Sequence, residues 1–346
     1  MRKSALIAAS LGIALTLSGC AAEEPVEDVA EETTTETETE TETETEETPT
    51  GRDAWPDTLV LTLTPSQEAG ALIESAEPLG ELLTERLGVE IEAIVPSDYA
   101  GVIAALASGQ ADIGGGLGPQ QMVLAQDEAG ADLILQVQRY GNYSYVTQWL
   151  TNDPDTYCDD EPVADEDGFL FCNGVLEAEQ GPVAEDKLSL LAGETVSFVD
   201  AGSTSGYLVP SLALLAAGVD PEEDIDSFFA GGHPASVQAV YDGDATVGVS
   251  FNDARSSIQD TSPDVGEKVV VWGWSDQIPN DGFAVRGDLP EDLKQAITDA
   301  LVDIMATEEG AAVMDELYEI EGLRPVQEGE YEIIRQLSVQ LGVELG

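Results

Sequence analysis

Three hydroxyl residues in a row, Ser203-Thr204-Ser205, stand between Gly202 and Gly206, and the single histidine, His233, follows about thirty residues later with Asp253 beyond it. Hydroxyl, imidazole and carboxylate together permit two chemistries. One is acyl transfer, with a serine as nucleophile, His233 as base and Asp253 orienting the base. The other is capture of a tetrahedral oxyanion, in which hydroxyls and the free N–H groups of a helix start donate hydrogen bonds and the helix dipole favours the negative charge. No GxSxG elbow is present, which counts against the nucleophile. A carboxylate inside an anion site is useful only if the ligand brings a proton to donate to it. Protonated phosphorus oxyanions do so, and sulfate does not.

The elements that must position these residues are strand-like runs leading into helix-like ones. Thr195 to Val199 is β-branched and aromatic, and after the small-residue turn Leu208 to Ala217 has the apolar density of a buried helix. His233 lies between the run Ser227–Phe229 and a helix Pro234–Tyr241, and Asn252-Asp253 between the run Thr246–Phe251 and a helix Asp253–Ile258. The first half repeats the unit. Leu59–Leu63 leads through Thr64-Pro65-Ser66-Gln67 to an amphipathic helix Leu72–Leu87 with a kink at Pro78 and an end at Gly88. Val89–Val95 leads through Pro96-Ser97-Asp98-Tyr99 to a helix Ala100–Ala107, with Ser97 as cap and Tyr99 in the first turn. Asp112–Gly116 leads through Leu117-Gly118-Pro119-Gln120-Gln121 to another. Such repetition predicts an α/β chain with mostly parallel sheets and a ligand at the strands' C-terminal ends.

The order STSGYLVP from Ser203, GHPASVQAV from Gly232, NDAR from Asn252 and IPNDGFAVR from Ile278 resembles the solute-binding proteins of phosphonate, phosphite and phosphate ABC importers, over roughly Asp57 to Leu337. The resemblance implies the type 2 periplasmic-binding-protein fold, two α/β lobes joined by a two-crossing hinge. The crossings are expected near Thr151 and Pro279, so that 55–151 and 280–346 form lobe 1 and 152–279 lobe 2. It also implies a ligand set of Ser203, Thr204, Ser205, His233 and Asp253 from one lobe and Tyr99 from the other, with Gln121 and Asn252 as further contacts. The family often carries an aromatic after the Gly-Pro that matches Gly118-Pro119, where this chain has Gln120-Gln121-Met122. The function implied is non-catalytic: a monomer with no cofactor binds a phosphorus oxyanion and presents it to an ABC permease and its ATPase. A hydrolase using the triad, or a sensor without transport, would use the same residues.

Met1-Arg2-Lys3, the short apolar Ser4–Leu17 and Leu17-Ser18-Gly19-Cys20 read as a secretory leader, 1–20, too short for a membrane span. The LSGC tetrad resembles a lipobox, which predicts a lipid-anchored protein on the outer face of the cell membrane with a lipidated Cys20 at its start. Residues 21–54 are mostly Glu, Thr and Ala, a composition that buries no core and forms a self-repelling tether. Of 69 acidic residues, 13 lie in Ala21–Thr50; Arg2 and Lys3 stand in the leader, leaving 56 acidic against 10 basic from Gly51 onward, a formal charge of −46. Nucleic acid is excluded as a partner. The acids are dispersed and not spaced as a calcium loop, so they predict a solvated, salt-tolerant surface. Lys and Arg are scarce around every candidate residue, which leaves backbone N–H groups and hydroxyls to hold an anion. Cys158 and Cys172 lie in an acidic insertion, 153–185, expected as a flap on the second lobe. In an exported chain with no CxxC they predict a disulfide and no metal site.

Overall fold

The computed structural model describes residues 51–178 and 181–342. The leader with Cys20, and the tether as far as Thr50, lie outside the described residues; the last four residues assigned to the tether, Gly51–Ala54, form a 3-10 turn.

The first lobe is a six-stranded sheet in the order Gly322–Pro325, Asp132–Gln138, Gly282–Val285, Ile113–Leu117, Thr58–Leu63, Glu90–Ile94. Strand Thr58–Leu63 buries Leu59, Leu61 and Leu63 against helix Ala69–Leu87, whose Leu72, Ala76, Leu79, Leu83 and Leu87 recur at helical spacing. That helix runs unbroken through Pro78. The carbonyl deprived of a donor belongs to Glu74, on the exposed face, where it is open to solvent. Helix Tyr99–Ser108 begins at Asp98, not Ser97: the Asp98 carboxylate accepts from the Gly101 N–H at 2.8 Å, and the Ser97 hydroxyl donates to Asp98.

The second lobe is a seven-stranded sheet in the order Asp226–Phe229, Thr195–Phe198, Val247–Phe251, Thr147–Thr151, Val270–Trp274, Leu170–Phe171, Val163–Ala164. Strand Thr147–Thr151 lies at its centre, antiparallel to both neighbours, so the first crossing precedes Thr147 and does not fall near Thr151. The crossings themselves pair with each other, Ser144–Tyr145 against Ile278–Pro279. That short ladder is the hinge. The run from Tyr143 to Thr151 mixes aromatic, apolar and polar residues, and a centre strand buried at all five positions shows no alternation that would mark where the lobe changes.

The insertion is part of the second lobe, not a flap. It adds two short strands to the sheet edge, Tyr157 stacks on Trp272 with ring centroids 5.1 Å apart, and Cys158 and Cys172 are joined with their Cα atoms 5.6 Å apart. Closing a loop of that length stabilises the oxidised chain by roughly 3 kcal/mol in the chain-entropy model.

The lobes are shut on each other. The His233 N–H donates across the cleft to the Ser66 carbonyl at 2.9 Å, and the Gln120 N–H to Thr204 Oγ1 at 2.8 Å. Leu208 of the second lobe shares one apolar cluster with Val102 and Met122 of the first and with Ile334 of the last helix, Glu332–Leu341.

Candidate ligand-binding site

The cleft encloses about 100 Å³ of free volume. Pockets for drug-sized ligands run to about 300–1,000 Å³, so this one suits a compact ion.

The second lobe supplies one wall through the turn after strand Thr195–Phe198. Residues Thr204–Leu208 form a π-turn that runs into helix Val209–Ala216, with Leu208 N–H bonded to Ser203 O at 3.0 Å. This wide turn places the N–H groups of Thr204 and Ser205 first in the helical run, where no upstream carbonyl reaches them. Ser203 Oγ accepts the Gly206 N–H at 3.1 Å, leaving its own proton free to donate. Thr204 Oγ1 accepts the Gln120 N–H and is likewise left as a donor. Gly206 is required by close approach, since a Cβ there would come within 2.4 Å of Val199 Cβ.

His233 opens helix His233–Asp242 and is buried. Its Nδ1 lies 2.8 Å from Ser250 Oγ and receives the Phe251 N–H at 3.4 Å, so Nδ1 is an acceptor and the proton sits on Nε2, the nitrogen left for the cavity. Burial, assisted by the charge of Arg139, pushes the imidazole pKa down to about 3. His233 is therefore a neutral donor.

From the first lobe, Tyr99 faces the cavity from its helix start, with a phenol pKa pushed well up by burial and then by the charge of Asp200. The phenol remains a neutral O–H. Tyr145 joins it from the hinge, and burial raises its pKa as well. Asp281 and Arg139 line the same cavity as the hydroxyl turn. The guanidinium grips the carboxylate through both terminal nitrogens, Nη2 to Oδ2 at 2.8 Å, while Nε donates to the Tyr318 carbonyl at 2.6 Å.

A family model described as the periplasmic substrate-binding protein of phosphonate ABC transporters matches residues 61–331, most of the chain. The chain belongs to this family. It is 28% identical over 326 residues to the phosphate-import protein PhnD of Mycolicibacterium smegmatis, covering 85% of this chain and 89% of that one. It is 25% identical over 244 residues to the phosphonates-binding periplasmic protein of Escherichia coli, covering 69% and 64%. Among solved structures, a binding protein component of an ABC phosphonate transporter from Pseudomonas aeruginosa superposes with TM-score 0.67 at 21% identity, over 82% of this chain and 86% of that one. PhnD1 of Prochlorococcus marinus in complex with methylphosphonate gives TM-score 0.67 at 16% identity, over 83% and 99%. These likenesses establish the two-lobed α/β fold of periplasmic binding proteins. The chain is the extracytoplasmic substrate-binding component of an ABC transporter.

Within that fold, Ser203, Thr204, Ser205, His233, Tyr99 and Asn252 do converge on one cavity. Asp253 does not. Its carboxylate is held by Arg255, Nη2 to Oδ2 at 2.6 Å and Nε to Oδ1 at 3.0 Å, and Arg255 is fully buried between the rings of Phe169 and Phe171 while donating to the Leu170 and Val269 carbonyls. The pair fastens the insertion to the second lobe. Gln121 also lies behind the wall and not in it: its Oε1 accepts from Thr64 Oγ1 at 2.9 Å and from the Gly118 N–H, and its Nε2 donates to the Tyr99 carbonyl. It positions three cleft loops. A triad is not assembled, because His233 Nδ1 is occupied by Ser250 and the carboxylate expected to orient it is spent on Arg255.

Four contributors were not singled out from the sequence: Arg139, Tyr145, Asp281 and Tyr318. Asp281 had a signal, since it lies inside the IPNDGFAVR motif just before a strand. Arg139 had none: Lys and Arg are scarce around the candidate residues, and this one enters the cavity from beyond the end of strand Asp132–Gln138.

Proposed function

We propose that the cleft captures a small phosphorus oxyanion that carries at least one P–OH, such as phosphate, phosphite or methylphosphonate, and that closure delivers it to the permease. The observation that carries this reading is that Asp281, the hydroxyl turn and His233 line one cavity. Ser203, Thr204 and Ser205 donate through hydroxyl and N–H, His233 through Nε2–H, and Tyr99 and Tyr145 through their phenols. Asp281 accepts the ligand's proton, the role first expected of Asp253. Charge-assisted hydrogen bonds contribute about 1.5–3 kcal/mol each, so four or five support sub-micromolar affinity after the ordering cost of closure. The names of the relatives support both phosphate and phosphonate, and the small cavity favours ligands with no substituent or a methyl.

Calorimetric titration with phosphate, phosphite, methylphosphonate and sulfate tests the reading. One of the first three should bind, raising the unfolding free energy by about 2.7 kcal/mol at one hundred times its dissociation constant. No binding of any of them would end it. The same reading places the protein as a monomer tethered to the membrane through Cys20. Mass spectrometry should find a lipid on that residue, and a mature N-terminus elsewhere would refute the anchor.

A further inference from the structure

Arg139 is the one basic side chain that reaches the cavity; of the ten that follow Gly51, the other nine lie away from it. It does not stand free to bind an anion. Both of its terminal nitrogens are on Asp281, and its Nε is on the Tyr318 carbonyl. Arg139 directly follows strand Asp132–Gln138, and Asp281 directly precedes strand Gly282–Val285. The two strands are paired, and the Val137 N–H donates to the Asp281 carbonyl at 3.0 Å, so the sheet itself sets the two side chains together. Both are mostly buried, with side chains 18% and 11% exposed.

Consider the carboxylate without its partner. A carboxylate next to a bound oxyanion in a water-poor cavity faces a like charge, and one of the two must take a proton. If the protein takes it, Asp281 becomes an O–H donor and any oxyanion fits, sulfate included. If the ligand must supply it, only protonated oxyanions fit. A guanidinium on the far side of the carboxylate decides between these outcomes, because it stabilises the ionised form and leaves each carboxylate oxygen a lone pair for the ligand. No other group facing the pair can do this. His233 is a neutral donor, Tyr145 and Tyr318 are neutral phenols, and Glu319 is turned to the Tyr140 hydroxyl at the rim, 3.0 Å away.

Resting on that reading of the cleft, we propose that Arg139 is a specificity-determining residue: by holding Asp281 ionised inside the anion cavity it compels the bound oxyanion to supply the proton between them, and so excludes sulfate. Arg139 acts through Asp281 and does not itself hold the ligand.

The test is titration of wild type, Arg139→Gln and Arg139→Lys with methylphosphonate, phosphate and sulfate, each in two buffers of different ionisation enthalpy so that protons taken up on binding are counted. Glutamine keeps a hydrogen bond and removes the charge; lysine keeps the charge. Arg139→Gln should bind sulfate with uptake of about one proton, and its preference for methylphosphonate over sulfate should fall roughly tenfold to a hundredfold. Arg139→Lys should still exclude sulfate. In an Asp281→Asn background the Gln change should add nothing to sulfate binding. The idea is overturned if Arg139→Gln weakens all ligands equally with no proton uptake, which is what a merely structural role predicts, or if Arg139→Lys admits sulfate, an outcome readable even if the Gln variant does not fold. If wild type binds no phosphorus oxyanion at all, it is the proposed function that fails.

Discussion

Asp253→Asn should lower the unfolding free energy by about 3 kcal/mol and leave the ranking of ligands unchanged. Arg255 is the cause. Its side chain is 0% exposed, and among the described residues Asp253 is the only carboxylate that answers its charge. Removing one member of a buried pair leaves the other uncompensated, at about 3–5 kcal/mol; the lower end applies here because Asp253 is itself one-fifth exposed and asparagine retains one acceptor. Two backbone carbonyls and the faces of Phe169 and Phe171 still hold the guanidinium, so the lobe should fold. Urea denaturation measures the loss, and titration of the same variant with phosphorus oxyanions and sulfate checks the ranking. A variant as stable as wild type, or one that newly admits sulfate, would mean that Asp253 faces the ligand and not Arg255.

That result bears on how far the site can be read from residues alone. Asn-Asp occurs three times, at Asn152-Asp153, Asn252-Asp253 and Asn280-Asp281; the first runs into Pro154 at the start of the short helix Pro154–Tyr157, and either of the other two carboxylates could serve as the acceptor. What separates them is the next two residues. Asp253 is followed by Ala254-Arg255, and in a tight turn an arginine two positions on folds back onto its own aspartate, as the Arg255 N–H does at 3.0 Å and its side chain does beside it. Asp281 is followed by Gly282 and Phe283, with no local cation, and so remains available. This difference was legible. The partner of Asp281 was not, because Arg139 lies just past the end of a strand where an arginine ordinarily points to water, and only the long-range pairing of strands Asp132–Gln138 and Gly282–Val285 brings it inside.

The same division holds for the fold. The strand-to-helix turns at Ser203 and His233 follow from local pattern, since a β-branched run, small residues and then an apolar helical run leave the chain few alternatives. The disulfide follows from compartment and count. The position of Thr147–Thr151 depends on which sheet recruits it, and nothing in five buried residues records that choice.

Asp281→Asn should reverse the selectivity of the site. The substitution keeps size, removes charge and supplies an amide that can donate where the carboxylate could only accept. Phosphate, phosphite and methylphosphonate lose a charge-assisted hydrogen bond from P–OH, worth about 1.5–3 kcal/mol, so each should bind roughly tenfold to a hundredfold more weakly. Sulfate, which has no proton to give and is repelled by the carboxylate, gains a donor and loses that repulsion. It should bind measurably where wild type ignores it. Ser205→Ala serves as the control, because its hydroxyl donates to any tetrahedral oxyanion and its loss should weaken all ligands without reordering them. The two variants are also separable by stability. Asp281→Asn leaves Arg139 with one acceptor fewer in a mostly buried setting, so its unfolding free energy should fall, whereas Ser205→Ala removes a cavity-lining hydroxyl that the proposed function assigns to the ligand. Calorimetry of both against the four anions is decisive: if Asp281→Asn weakens phosphate, phosphite, methylphosphonate and sulfate alike, the carboxylate does not read the proton, and discrimination must arise from the donors of the second lobe.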